Sequence, residues 1–148
     1  MSNKLTVEEQ FLTSEQAKEL QELGIDFSGS NTWFCKYSKD PKGNKVLKST
    51  WKLVHSKSQL VVEFERFEYI PTLSVAEMLG MLPKCVEVKG DLYELYLKKG
   101  SFHIDYKAYE LGYGGYLNEL LCINKYIHTL LRDSLFEMLK WLKQNKLI

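Results

Sequence analysis

Three segments of this chain repeat their apolar residues every three or four positions, which is the period of an α-helix with one face on a core. The first segment begins with the pair Thr13 and Gln16 and ends at Gly24. The second, in the middle of the chain, begins with the pair Ser74 and Glu77. Each pair matches a capping box, in which two side chains satisfy amide groups at the start of a helix. The pattern therefore predicts one helix after Thr13 and a short central helix after Ser74.

The third helical segment, 129–144, is the longest and has the most regular apolar stripe. Lysines crowd its carboxyl end, where the helix dipole favours positive charge, and Asn145 is placed to end the helix. We expect this helix to pack on one face of a sheet.

Alternation of apolar and polar residues, which is the period of a strand with one buried face, occurs on both sides of the central segment. The predicted strands are Thr32–Tyr37, 46–54, 60–69, Cys85–Val88, 92–98 and 102–108. The sequence Lys-Gly-Ser at 99–101 is predicted to form a hairpin turn, and the glycine-rich residues 112–115 are predicted to break the strand before them. Residues 116–123 fit a further strand and a helical turn equally well.

The resulting order is a helix, three strands, the short central helix, three or four strands and the long helix. Most consecutive strands are joined by turns that are too short for a parallel crossover. We therefore expect an α+β fold with a mainly antiparallel sheet, in which the long C-terminal helix packs on one face. The length of 148 residues suits one domain over 1–148, in which residues 1–11 are expected to be loosely ordered.

The composition favours a folded globular protein, because 45% of the residues are hydrophobic, and the net charge of +1 gives no overall attraction to nucleic acid or membranes. Cys35, Cys85 and Cys122 are odd in number and lack the spacing of a zinc site, which favours reduced, buried thiols. The amino-terminal residues do not resemble a signal peptide, and no apolar run approaches the length of a membrane span. We expect a cytoplasmic protein that uses no membrane and no cofactor.

The largest local charge imbalance lies in segment 36–57, which has seven lysines against the single acidic residue Asp40. The lysines are Lys36, Lys39, Lys42, Lys45, Lys48, Lys52 and Lys57. A basic hairpin with aromatic residues beside it is typical of a surface that binds the phosphates and bases of nucleic acid. The alternative is an exposed hairpin whose lysines only prevent aggregation, and the absence of arginine favours this alternative. Trp33 and Trp51 lie on the apolar side of the pattern and are expected in the core.

His103 and Asp105 are the candidates for catalysis. Residues two apart on a strand share a face, so we expect the imidazole and the carboxylate to pair and to be suited to acid–base chemistry. A polar, solvated sheet face explains the same two residues, and no nucleophile motif lies nearby. Glu63, Glu65 and Glu68 are clustered carboxylates that could be considered as metal ligands, but Glu68 falls on the other side of the strand pattern and the histidines are scattered. No metal site is therefore predicted.

Three stretches of the chain resemble, in the same order, a family of small proteins encoded by bacteriophages and integrated mobile elements of gut bacteria. They are FLTSEQAKELQELGID (11–26), IPTLSVAEMLGMLP (70–83) and DSLFEMLKWLKQNKLI (133–148), and together they cover roughly a third of the chain. The resemblance implies a compact α+β domain with the last helix packed on a sheet. It implies no activity, because the family brings no assigned catalytic or binding residues.

Three functions are compatible with these patterns. The first is a small non-enzymatic accessory protein of phage or mobile-element type that acts through protein–protein contacts, for example against a host defence system. The second is a nucleic-acid-binding module that uses the hairpin 36–57. The third is an enzyme with a polar site around His103 and Asp105. The oligomeric state stays open, because the tyrosine-rich strands and the long helix could each form a dimer face.

Overall fold

The computed structural model describes residues 6–37, 42, 51–55, 67–103, 106–115 and 122–148. Within these residues the chain forms a 3-10 helix, three α-helices and seven strands. The 3-10 helix is Glu8–Gln10, and the α-helices are α1 (Ser14–Glu22), α2 (Val75–Met81) and α3 (Leu131–Gln144). The strands are β1 (Thr32–Tyr37), β2 (Lys52–Val54), β3 (Phe67–Thr72), β4 (Cys85–Val88), β5 (Asp91–His103), β6 (Tyr106–Gly115) and β7 (Cys122–His128). The predicted α+β class and the predicted order of elements are confirmed.

The chain divides into two units, each with its own antiparallel sheet. The inserted unit is Leu12–Leu73, and it contains α1 and the sheet β2-β1-β3. The flanking unit combines Met1–Phe11 with Ser74–Ile148, and it contains α2, α3 and the sheet β4-β5-β6-β7. The expectation of a single domain over 1–148 stays a prediction.

Helix α1 of the inserted unit begins and ends as its sequence predicts. Thr13 Oγ1 accepts a hydrogen bond from the Gln16 amide (3.1 Å), and Gln16 Oε1 accepts one from the Thr13 amide (3.0 Å). At the other end Gly24 has a φ of 93°, and the Ile25 amide donates to the Leu20 carbonyl (3.0 Å). This is a Schellman stop, which needs the left-handed conformation that glycine adopts at little cost. The helix packs on β3 and buries Leu20.

Strand β1 lies in the middle of the sheet of the inserted unit, between β2 and β3. Phe34 is opposite Ile70 in this register, and both side chains are buried. Trp33 is opposite Pro71 and faces the other side of the sheet, because side chains alternate along a strand. The predicted strand 60–69 ends too early, since β3 continues through Pro71 to Thr72, and residues 60–66 lie outside the described residues. Of the predicted strand 46–54, Lys52–Val54 form β2 and Trp51 precedes it, while residues 46–50 lie outside the described residues.

The two ends of the inserted unit are adjacent. The Leu12 amide donates to the Leu73 carbonyl (3.0 Å), and the buried Thr72 hydroxyl donates to the Leu12 carbonyl (3.0 Å). In the flanking unit, the next residues outward, Phe11 and Ser74, form an antiparallel bridge. Ser74 also caps α2, since its side chain accepts from the Glu77 amide. The boundary between the units therefore coincides with the predicted start of the central helix.

Strands β4 to β7 of the flanking unit follow one another as an antiparallel meander. The hairpin between β4 and β5 has the two-residue turn Lys89-Gly90, in which both φ angles are positive (53° and 84°). Such angles belong to a type I′ turn, whose twist matches that of the strands. The predicted strand Cys85–Val88 is confirmed.

The middle of the meander differs from the sequence-based prediction. Residues 99–101 do not form a turn, because Lys99 pairs with Tyr109 and Gly100 pairs with Ala108 inside the β5–β6 ladder. Residues 112–115 do not break a strand either, and they form the last part of β6. Of the ambiguous segment 116–123, Cys122 and Ile123 belong to β7, and the remainder lies outside the described residues.

Helix α3 covers one face of this sheet by packing on β6 and β7. Tyr113 of β6 is fully buried, its ring lies 6.4 Å from that of Trp141 between centroids, and its hydroxyl donates to the Pro83 carbonyl (2.7 Å). The predicted C-cap, Asn145, is confirmed, and Lys146 follows it with a φ of 58°. The predicted packing of the long helix on one face of a sheet is therefore confirmed.

Part of the amino-terminal segment is tied to α3. The 3-10 helix at Glu8–Gln10 lies within 1–11, where loose order is expected from the sequence. The Arg132 guanidinium, in the first turn of α3, donates to the carbonyls of Glu8 (3.0 Å) and Phe11 (3.3 Å). These bonds give the last residues of the segment fixed partners within the flanking unit.

Candidate binding cleft

The two described lysines of segment 36–57 that lie on strands, Lys36 and Lys52, are on opposite faces of the inserted unit's sheet. In the register of β1 with β2, Cys35 is opposite Lys52, so Lys52 lies on the face of Cys35 and Lys36 lies on the other face. Burial raises the pKa of the Cys35 thiol, and the positive charge of Lys52 opposes this rise. Lys42 is exposed. Lys39, Lys45, Lys48 and Lys57 lie outside the described residues, so their part in nucleic-acid binding stays a prediction.

Lys36 is held by partners within its own unit. Its ammonium group lies 4.6 Å from the centroid of the Trp51 ring and 3.6 Å from the Glu68 carboxylate. The ammonium of Lys18 lies 5.2 Å from the same ring. Cation–π contacts at exposed sites contribute about 0.5–1 kcal/mol each. The half-buried Trp51 thus serves as a platform for two lysines, and the prediction that it belongs to the core is wrong.

The segment that carries the two candidates for catalysis does not form one continuous strand. His103 is the last residue of β5 and pairs with Tyr106, the first residue of β6, so the chain reverses direction between them. The predicted strand 102–108 is therefore wrong. The side chain of His103 and the whole of Asp105 lie outside the described part of the chain, so their pairing stays a prediction.

The glutamates that suggested metal ligands are only partly described. Glu68 is in the ion pair with Lys36, and Glu63 and Glu65 lie outside the described residues. Within the described ranges, no group of three or more histidine, cysteine, aspartate or glutamate side chains is arranged to hold a metal ion.

The flanking unit has a hydrogen-bonded cluster on the sheet face opposite Tyr113. The Tyr96 hydroxyl lies 3.5 Å from the Cys122 sulfur and bonds the Glu110 carboxylate. The Cys122 thiol also donates to the Asn124 carbonyl (3.1 Å). Burial is the main cause of the raised pKa of Tyr96, and the hydrogen bonds of Tyr96 with Cys122 and Glu110 raise this pKa further. A phenol that stays protonated is a hydrogen-bond donor at neutral pH, and it is neither a base nor a nucleophile.

An open cleft in the inserted unit, with a volume of about 390 Å³, brings together residues from several elements. The sheet contributes the half-buried Trp33 from β1 with Tyr69 and Pro71 from β3. The end of α1 and the loop after it contribute the other side of the cleft. The lining residues are Gln21, Phe27, Ser28, Ser30, Trp33, Tyr69 and Pro71.

Two serine contacts shape the loop that lines the cleft. The Ser28 amide donates to the Asp26 carboxylate (2.8 Å), and this bond holds the pKa of Asp26 below its usual value. The buried Ser30 hydroxyl donates to the carbonyls of Thr32 and Thr72 and thereby joins the start of β1 to the end of β3. Ser30 is thus a structural part of the wall. Gln21 and Ser28 are exposed at the surface of the cleft, and the Ser28 hydroxyl also bonds the Asp26 carboxylate.

All seven lining residues are uncharged. Three are aromatic, and the others are a proline, two serines and a glutamine. Aromatic side chains are enriched at the centres of protein interfaces, and charged side chains are depleted there. A cleft of this composition is suited to an uncharged, partly apolar segment.

The sequence did not identify this cleft. Trp33 was expected in the core, and it is half-buried at the surface of the cleft. Residues 26–31 form a loop of mostly small and polar residues. One signal was present, since Phe27 is an aromatic residue in an otherwise small and polar loop, and it is buried. The pairing of Trp33 with Pro71 depends on a strand register that no local pattern encodes.

Comparison of this chain with protein-family models, with curated proteins and with solved structures finds no match. None of the helices in the described part of the chain has the length and hydropathy that crossing a membrane requires.

Proposed function

We propose that this protein is a small accessory protein that acts by binding a partner protein and has no reaction of its own. The observation that carries the proposal is the uncharged, aromatic cleft around Trp33. Residues with these properties dominate the binding energy of protein interfaces, because large rigid rings lose water and little conformational freedom when a partner covers them.

The chemistry of the other candidate sites favours the same conclusion. Phosphate binding calls for cations that face one surface, whereas Lys36 and Lys52 face opposite sides of the sheet. Acid–base catalysis near neutral pH commonly uses a histidine or a carboxylate in a concave site, and the lining of the cleft contains neither.

The resemblance to small proteins of bacteriophages and mobile elements supports a setting in the cytoplasm of a bacterial host. Cys35, Cys85 and Cys122 are all free, as a reducing compartment requires. Cys85 is exposed, so the expectation that all three thiols are buried is wrong. A protein of a host defence system is one partner that fits this setting.

The test is capture of a partner by the tagged full-length protein from lysate of a bacterial host, compared among three forms. Trp33→Ala removes the ring from the cleft. Trp51→Ala is the matched control, because Trp51 is also a half-buried tryptophan beside the same sheet but contacts Lys36 on the opposite face. We expect the original protein and Trp51→Ala to retain one stoichiometric partner and Trp33→Ala to lose it.

Circular dichroism and thermal unfolding establish that both variants are folded. If no stoichiometric partner is recovered, or if Trp33→Ala retains it, the cleft is not the binding surface and the proposal fails.

A further inference from the structure

Strand β5 of the flanking unit is much longer than β4, so one edge of β5 is paired only along its first residues. β4 pairs with Asp91–Glu94, and a last bond beyond this ladder runs from the Leu95 amide to the Lys84 carbonyl (2.9 Å). The chain before Lys84 belongs to the end of α2, whose C-cap is Leu82. Among the described strands, β5 from residue 96 onward therefore has β6 as its only neighbour.

The open part of this edge presents the backbone groups of Leu97 and Lys99. The backbone groups of successive residues point to opposite sides of an antiparallel strand, and those of Leu95 point to the β4 side. The N–H and C=O groups of Leu97 and Lys99 therefore point to the β4 side as well, where β4 has ended. Leu97, Lys98 and Lys99 are exposed one after another, so solvent reaches both faces of the strand here. Such an edge is a template on which another strand can pair.

Three exposed lysines surround the open edge. Lys98 lies on the sheet face opposite α3, Lys99 lies on the face of α3, and Lys84 marks the end of the edge. Pairing of two such edges would bring lysine close to lysine, and like charges on adjacent strands are destabilising. A strand that carries carboxylates would instead be complementary to the edge.

The two strand lysines are positioned by aromatic rings. The Lys98 ammonium lies 5.3 Å from the centroid of the Tyr96 ring, and the Lys99 ammonium lies 5.4 Å from that of Tyr109. Glu110 is opposite Lys98 but bonds the Tyr96 hydroxyl. Within the described part of the chain, no carboxylate forms an ion pair with either lysine. Both positive charges are therefore available to an acidic partner.

Leu97 adds an apolar position between the lysines and α3. It is opposite Leu111 on β6, and Leu111 is fully buried, whereas Leu97 is 44% exposed. The difference arises because α3 packs on β6 and β7. An apolar side chain on an added strand would cover Leu97, which is favourable in proportion to the apolar area that it removes from water.

From the open backbone, the lysines and Leu97 we infer that this edge of β5 binds an extended, acidic segment of a partner protein as an added antiparallel strand. The segment has two successive acidic residues, which lie opposite Lys99 and Lys98, followed by an apolar residue opposite Leu97. Main-chain bonds supply the affinity of such strand addition, and alternate side chains supply its specificity. The inference goes beyond the proposed function, because the edge belongs to the flanking unit and the cleft belongs to the inserted unit.

A peptide with the sequence Thr-Val-Glu-Glu-Val-Thr, blocked at both ends, tests the inference on the full-length ¹⁵N-labelled protein. We expect saturable binding at millimolar concentration that shifts the backbone amide signals of Leu97 and Lys99. Hydrogen exchange of these two amides should be fast in the free protein and slower with the peptide. The amides of Tyr96 and Lys98 should be protected in both states, because they face β6.

Two double variants test the charge. Lys98→Gln with Lys99→Gln should weaken peptide binding about threefold to thirtyfold, the range expected for the loss of two exposed ion pairs. Lys125→Gln with Lys143→Gln is the matched control, because it removes the same charge from other elements of the flanking unit. Its affinity should equal that of the original protein, and circular dichroism establishes that both variants are folded.

Two altered peptides test the charge and the backbone from the other side. A peptide with Lys-Lys in place of Glu-Glu should not bind. A peptide with a methyl group on the nitrogen of its second valine cannot donate to the Leu97 carbonyl. It should bind about threefold to tenfold more weakly, as expected for the loss of one hydrogen bond.

Several outcomes overturn the inference. If the amides of Leu97 and Lys99 are already protected in the free protein, the edge is occupied by the chain itself or by a second copy. Equal binding of the acidic and basic peptides, or equal affinities of the two double variants, would contradict the role of the lysines. Trp33→Ala should bind the peptide as the original protein does, and a loss of binding in this variant would mean that the peptide enters the cleft.

Failure of this inference and failure of the proposed function are distinguishable. If the peptide does not bind but capture of the partner depends on Trp33, the strand-addition inference fails and the proposed function stands. If the peptide binds at the edge but no partner is captured through Trp33, the proposed role of the cleft fails and the edge remains the binding surface.

Discussion

The ring of Tyr96 lies directly against Gly112, so closely that a Cβ atom on Gly112 would be 2.7 Å from the Tyr96 hydroxyl oxygen. The two residues are opposite each other on β5 and β6. The absence of a side chain at Gly112 is what allows the phenol to cross the strand and reach Glu110 and Cys122. The glycine is therefore a packing requirement inside a strand.

Gly112→Ala should destabilise the protein by about 1–3 kcal/mol, the usual range for overpacking a well-packed site. The added methyl group would also approach the Asn124 backbone carbonyl at 2.9 Å, so rotation of Tyr96 alone does not relieve it. Urea unfolding measures the change. Gly100→Ala is the matched control on β5, where an added Cβ meets nothing within 4 Å, and it should change the stability little. Equal stability of the two variants would contradict the proposed packing.

Lys146→Gly should stabilise the protein by up to about 1 kcal/mol, because Lys146 follows the end of α3 in the left-handed conformation that glycine adopts without strain. The surrounding bonds of the Schellman stop are present, with the Leu147 amide donating to the Leu142 carbonyl (2.9 Å). Thermal unfolding measures the gain. Lys143→Gly, inside α3, should instead destabilise by about 1 kcal/mol. A loss of stability in Lys146→Gly would show that the lysine side chain has a role of its own.

The stability of the protein should fall as the pH rises above about 10, the ordinary pKa of tyrosine. Burial raises the pKa values of Tyr96 and Tyr113 in the folded protein, so both keep a proton that the unfolded chain releases. A group whose pKa is higher in the folded protein contributes its full stability below the pKa that it has in the unfolded chain. Above that pKa the free energy of unfolding falls, by at most about 1.4 kcal/mol per pH unit for each group. Unfolding in urea at a series of alkaline pH values measures this slope. Tyr96→Phe should have a shallower slope, and an unchanged slope would mean that Tyr96 ionises as readily folded as unfolded.

The flanking unit should fold without the inserted unit. Phe11 and Ser74 form an antiparallel bridge, and a two-residue Asn-Gly turn is the right length to join such a pair in place of residues 12–73. We expect cooperative thermal unfolding, because α2, α3 and the whole sheet β4-β5-β6-β7 remain. A control that also deletes Ser74 loses the cap of α2 and should be less stable by about 1 kcal/mol. Gradual, non-cooperative melting would show that the flanking unit depends on the inserted one.

The original protein should give no gel shift with DNA or RNA at low salt, because the described lysines of segment 36–57 do not share one face. If a shift is seen, a variant in which Lys42, Lys45 and Lys48 are changed to glutamate tests whether this segment causes it. A control with the same change in charge replaces three exposed lysines of the flanking unit, which are Lys84, Lys98 and Lys99. A salt-sensitive shift that only the first variant abolishes would favour the nucleic-acid alternative over protein binding.

Local chemistry accounts for the elements that the sequence predicted well. The capping boxes at Thr13 and Ser74 join residues three positions apart, so each is encoded within one short stretch. The strands Thr32–Tyr37 and Cys85–Val88 were found with their correct bounds for the same reason. Short-range hydrogen bonds and side-chain periodicity are sufficient to specify these features.

The surroundings of the glycines and tryptophans, and the position of the cleft, depend on tertiary structure. In the sequence, residues 112–115 resemble a strand break. In the structure they belong to β6, and Tyr96 of β5 occupies the space that a side chain at Gly112 would fill. Trp33 and Trp51 follow the same apolar pattern, yet the register of the strands directs them to opposite faces of one sheet. The cleft joins Gln21 of α1 to Pro71 of β3, and only the folded chain brings them together. The sequence by itself therefore determined the helices, their caps and the α+β class, because these depend on neighbours along the chain. The binding surface depends on contacts between distant strands, which the complete packing of the unit selects.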